Sequence, residues 1–168
     1  YQLYTQSGKK TTFRKMVKSL AERDVVLFGE YHDDAIAHWL QLELAKAVLE
    51  RDSALVLGAE MFERNSQSYL DAYLVDSLNA EEFQDTVPSL WPNYRTDYAP
   101  LVNFAKDKGL PFIATNVPRY LASAVYRGGF EALDTLSERE MGFIPPLPIP
   151  YDPALPGSPN SMQEIPRA

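Results

Sequence analysis

Gly29-Glu30-Tyr31-His32-Asp33-Asp34 sets a carboxylate, a phenol and an imidazole side by side, directly after the apolar run Val25-Val26-Leu27-Phe28. Glu30 and His32, joined by a second carboxylate such as Glu60, offer the oxygen and imidazole donors that hold a divalent metal. A metal held there would activate water for hydrolysis. Glu60 lies in a second apolar run, Ala54 to Met61, where a carboxylate needs a cation, a metal or a set of donors. The other chemistry these residues could support is porphyrin binding, because tyrosinate is a haem-iron ligand. Trp91-Pro92-Asn93-Tyr94-Arg95-Thr96-Asp97-Tyr98 joins aromatic surface and two phenols to a guanidinium suited to a propionate.

Each of these residues also has a plainer reading. Glu30 can bond the backbone amides that open the next helix, and His32 can be a satisfied structural histidine. His38 lies about 240° further round a helix than His32, which predicts a surface or outer-layer group. Asn116 and Arg119 flank Pro118, as a simple turn would. Trp91 and the tyrosines beside it can form a lid packed on the core.

The elements that must carry these residues read as alternating strands and helices. A short edge strand at Gln2–Thr5 precedes a helix capped by Thr11 or Thr12 and running to about Ala21. Asp24–Phe28 reads as a central strand. The helix that follows is capped by Asp33 or Asp34 and reaches about Arg51, with Ile36, Leu40, Leu44 and Val48 as its apolar stripe. Ala54–Met61 reads as a strand covered on both faces. A helix from Asn65 or Ser66 carries Tyr69, Leu70, Tyr73 and Leu74, and Asn79 with Glu82 forms a capping box for another. After an irregular segment from Pro88 to Thr96, a helix runs from Asp97 to Lys108 and stops at Gly109. Leu110–Thr115 is the third strand, 116–119 a loop, Tyr120–Tyr126 helical, and Ser137 to Glu140 caps a last short helix.

This order predicts an α/β fold of three layers, with a mainly parallel central sheet built from βαβ units. In such sheets ligands sit beyond the carboxyl ends of the strands. The three strands end at Glu30, Tyr31 and His32, at Glu60 and Glu63-Arg64, and at Asn116 and Arg119, so their tips are expected to meet. Residues 1–144 read as this domain, in the form of an N-terminal portion of a longer one. Residues 145–168 read as a linker or arm, with seven prolines between Pro145 and Pro159.

Composition narrows the classes. A net charge of −7 and a pI near 4.8 argue against nucleic acid as a partner. The absence of cysteine excludes disulfides, thiolate metal sites and cysteine nucleophiles. No Gly-x-Ser-x-Gly elbow, phosphate loop or dinucleotide fingerprint occurs. The start, Tyr1-Gln2-Leu3-Tyr4, is neither an initiator Met nor a signal peptide, so a targeting segment or lipid anchor is expected to have preceded it.

Asp24–Asp33, Gly58-Ala59-Glu60-Met61-Phe62, Tyr98-Ala99-Pro100-Leu101-Val102 and Ala114–Arg119 together resemble the ChaN-like family. These are haem-binding, iron-regulated lipoproteins grouped with the Tiki proteases and erythromycin esterases. The resemblance spans about residues 1–144. It implies an α/β fold, a bacterial cell-envelope lipoprotein facing the periplasm or exterior, and a role in iron uptake. It also implies haem held at a homodimer interface by tyrosine, with histidine assisting, and an outer-membrane haem receptor as a further partner. The superfamily's Gly-x-x-His motif falls on Gly29 to His32, its acidic strand-end residue on Glu60, and its third motif on Asn116 and Arg119. Tyr94, Tyr98 and Tyr31 are the candidate haem ligands from local chemistry, with His32 and Arg119 as further haem contacts. A metal-dependent hydrolase using Glu30, His32 and Glu60 is the alternative. Family members are longer, with further strands and a second histidine motif.

Overall fold

The computed structural model describes residues 1–148, and contacts divide the chain into a unit of residues 1–123 and a second that begins at Ala124. In the first unit, β1 (Leu3–Tyr4) and β2 (Lys10–Thr11) form a small antiparallel ribbon. Helix α1 (Phe13–Leu20) follows, with Thr12 Oγ1 accepting from the Lys15 amide as its cap. Helix α2 (Ala35–Leu49) is capped by Asp34, whose Oδ1 accepts from the amides of Ile36 (2.9 Å) and Ala37 (3.2 Å). Leu40 and Leu44 of the expected stripe are buried, but Ile36 at its outer end is exposed.

Strands β3 (Leu57–Glu63) and β4 (Phe112–Asn116) form a parallel pair, with Leu57 opposite Phe112 and Ala59 opposite Ala114. Beyond Ala59 the register slips, so that Glu63 comes opposite Asn116. Between the strands lie a 3₁₀ turn (Arg64–Ser66), α3 (Gln67–Leu74), α4 (Ala80–Thr86), a π-helical turn (Tyr94–Tyr98) and α5 (Ala99–Lys108). Asn79 and Glu82 close the anticipated capping box of α4. Gly109, at φ 64°, ends α5 in the left-handed conformation that glycine adopts without strain. Helix α6 (Arg119–Gly128) follows β4. The second unit contains a 3₁₀ turn (Phe130–Leu133) and α7 (Glu138–Met141), which Ser137 and Glu140 cap reciprocally.

The core lies on one face of the β3–β4 pair. Phe62 is edge-on to Phe112 (5.8 Å between centroids) and to Tyr94 (6.0 Å), and Phe83 stacks on Tyr73 at 4.7 Å. Outer-edge pairing of β4 comes from a side chain. Gln67 donates to the Phe112 carbonyl (2.9 Å) and accepts from the Ala114 amide (2.7 Å), as a neighbouring strand would.

The α/β class holds, with helices and a parallel strand pair. Three sequence expectations are corrected. Asp24–Phe28 forms no strand: it has no ladder partner, and Val25 and Leu27 are 74% and 92% exposed. An apolar run becomes a strand only where a neighbour takes up its backbone groups. The second strand begins at Leu57 rather than Ala54 and is not covered on both faces, since Val56, Gly58 and Glu60 are exposed. The turn after Asn93 is a π-helix through Tyr98, and α5 starts only at Ala99, next to Pro100. Most of the proline-rich arm, residues 149–168, lies outside the described residues.

Candidate functional site

The site is organised around one carboxylate. Glu30 sits on the irregular segment before α2, its side chain only 6% exposed, and is surrounded by donors. Its Oε1 accepts from the Tyr98 hydroxyl (2.9 Å) and lies 3.3 Å from His32 Nδ1. Its Oε2 accepts from Gln41 Nε2 and lies 3.1 Å from His38 Nδ1. A buried carboxylate without such partners would cost several kcal/mol, on the order of 3–5.

The surrounding elements each contribute a face. α2 presents His38 and Gln41, three residues apart and therefore neighbours on the helix surface. The π-helical turn presents Tyr98. Asn93, just ahead of that turn, donates to both the His32 carbonyl (2.8 Å) and Asp97 Oδ2 (2.7 Å). Both ring nitrogens of His38 face acceptors, Nε2 the His32 carbonyl at 3.2 Å and Nδ1 the Glu30 carboxylate. His32 is the open side of the site, its side chain 49% exposed and edge-on to Trp91 at 4.6 Å. Trp91 in turn packs edge-on to Tyr98 at 5.9 Å.

The three candidate tyrosines have different surroundings. Tyr94 is 4% exposed, wedged between Phe62 and Phe83, and burial pushes its phenol well above the ordinary range, with Tyr73 adding to the effect. Burial likewise raises the Tyr98 phenol, reinforced by the hydrogen bond to Glu30 and by the Glu30 and Asp97 charges, while Asn93 pulls the other way. Tyr31 is 81% exposed.

Of the residues read from the sequence, Glu30, His32 and Tyr98 come together, with Trp91 beside them. Glu60 does not join them. It is exposed on the open face of β3, with no hydrogen bond or ion pair among the described residues. Glu63 and Asn116 are partners at the tips of β3 and β4, and Arg119 is exposed at the start of α6. None of the three is hydrogen-bonded to the Glu30 group. Among the described residues no group of three His, Asp or Glu side chains is arranged to hold a metal ion.

The family model for "Haem-binding uptake, Tiki superfamily, ChaN" matches residues 16–165. The chain belongs to the ChaN family. A solved ChaN structure from Campylobacter jejuni, described as showing cofacial heme binding, is 25% identical with a TM-score of 0.64. The match covers 76% of this chain and 52% of the Campylobacter chain. Protein RETICULATA-RELATED 5, chloroplastic, from Arabidopsis thaliana is 29% identical over 143 residues, which is 79% of this chain and 19% of that protein. The chain thus spans about half of the ChaN structure and about a fifth of the plant protein. Haem is the cofactor that the family and the Campylobacter structure support.

Sequence reasoning missed Gln41 and the contacts that Asn93 makes. His38 is 5% exposed, not a surface group, and stands behind His32, against Glu30 and the His32 carbonyl, as an outer-layer group would. The helical angle between His32 and His38 had no meaning, because α2 begins only at Ala35 and His32 lies in the turn before it. A usable signal was the spacing of His38 and Gln41 on the face that follows the Asp34 cap.

Proposed function

We propose that the chain binds ferric haem in iron acquisition, at the opening formed by Tyr31, His32 and Trp91. The supporting observation is a half-exposed imidazole set edge-on to an indole and bonded to a buried carboxylate, with an exposed phenol one residue before it in the chain. This donor set fits haem: an aromatic wall for the macrocycle, and oxygen and nitrogen donors for iron. Bound haem would supply an iron centre, which a tyrosine phenolate would hold.

Tyr31 is the proposed phenolate. Ligation requires loss of the phenol proton, which burial opposes at Tyr94 and which both burial and the Glu30 hydrogen bond oppose at Tyr98. Tyr31 is 81% exposed, so its phenol is accessible to an incoming ligand. Arg119, also exposed, is the proposed partner of a propionate. Haem at a homodimer interface, delivery by an outer-membrane receptor and a lipoprotein anchored in a bacterial envelope complete the proposal. The last of these is checked by fractionation of source cells, since one relative carries a chloroplast designation.

Ligand identity is read by resonance Raman and visible charge-transfer bands of the hemin complex in Tyr31→Phe, Tyr94→Phe and Tyr98→Phe. Loss of the phenolate signature in Tyr31→Phe alone supports the assignment. Its loss only in one of the other variants contradicts it.

A further inference from the structure

The segment that carries His32 belongs to neither strand nor helix, yet its imidazole is held at several points. The His32 carbonyl receives two donors, Asn93 Nδ2 at 2.8 Å from the lead-in to the π-helical turn and His38 Nε2 at 3.2 Å from α2. The His32 ring meets Glu30 Oε1 through Nδ1 at 3.3 Å and Trp91 at its edge. Glu30 is in turn fixed by Tyr98, Gln41 and His38. A carboxylate oxygen only accepts, so a ring nitrogen that faces it bears hydrogen, at His32 Nδ1 and equally at His38 Nδ1.

Resting on the haem reading above, we propose that Glu30 is a positioning residue for His32. It keeps hydrogen on Nδ1 and turns the Nε2 lone pair outward, while Asn93 and His38 fix the backbone beneath. His32 then meets its ligand as an electron-pair donor, toward a metal ion or an acidic hydrogen, and not as a hydrogen-bond donor. Carboxylates behind metal-facing imidazoles act in this way, and their loss costs about 10–100-fold in affinity.

The chain contains two histidines, so ¹⁵N-histidine NMR of the ligand-free protein separates their rings. At neutral pH the wild-type His32 ring is expected as one tautomer, hydrogen on Nδ1. Glu30→Gln is expected to mix the tautomers and weaken hemin binding about 10-fold or more. Asn93→Ala is expected to weaken hemin binding while leaving the His32 tautomer unchanged, because Asn93 donates to the His32 carbonyl and to Asp97 and makes no bond to the His32 ring. A wild-type ring with hydrogen chiefly on Nε2 overturns the proposal, and this result needs no variant to fold. Unchanged tautomers in a folded Glu30→Gln protein overturn it as well. Failure of wild-type protein to bind hemin overturns the haem reading instead, and the ring spectrum still tests the role of Glu30.

Discussion

Two phenols four residues apart, Tyr94 and Tyr98, look interchangeable in the sequence and have different tasks in the fold. Tyr94 fills the aromatic core against Phe62 and Phe83, and Tyr98 closes the donor shell of Glu30. Both phenols are raised, so each favours the folded state while neutral. That stability is fully present below the ordinary phenol pKa of about 10 and is lost as pH climbs toward the higher folded-state values. Urea midpoints should therefore fall as pH is taken above about 10, and Tyr94→Phe should fall less steeply than wild type. An identical alkaline slope in the two proteins would contradict this account of Tyr94. Glu30, His32 and Tyr98 were legible as chemical residues because their types are conspicuous at an element's end. Which of them touch was not legible, since the contacts join positions 68 apart in the chain, as Tyr98 to Glu30.

Helix boundaries were read well where a cap announces them, at Thr12, Asp34, Asn79 and Gly109. Strands were read less well, because a strand depends on a partner that lies elsewhere in the sequence. Val25–Phe28 is as apolar as Phe112–Ala114, but only the latter has β3 on one side and Gln67 on the other. Gln67 therefore carries more of the sheet than its helical position suggests. Gln67→Leu leaves the Phe112 carbonyl and the Ala114 amide without partners, at a cost of about 1–3 kcal/mol. Chemical denaturation measures this, and a loss within about 0.5 kcal/mol would show that Gln67 does not complete the edge.

At the larger scale, one face of the β3–β4 pair is packed and the other is open. Val56, Glu60 and Ile113 lie exposed on the far face of the β3–β4 pair, and the chain spans 52% of the Campylobacter structure. The Glu30 group stands apart from that open face in its bonding, since all its partners come from the pre-α2 segment, α2 and the π-helical turn. Among the described residues no helix is long and apolar enough to cross a membrane. Haem binding at the Tyr31–His32–Trp91 opening is the central claim, and an equilibrium hemin titration followed at the Soret band tests it most directly. Wild-type protein should show a saturable shift, and a His32→Ala/Trp91→Ala double variant with an unchanged melting temperature should bind at least about 10-fold more weakly. A wild-type protein without a saturable shift, or a folded double variant that binds equally well, would contradict it.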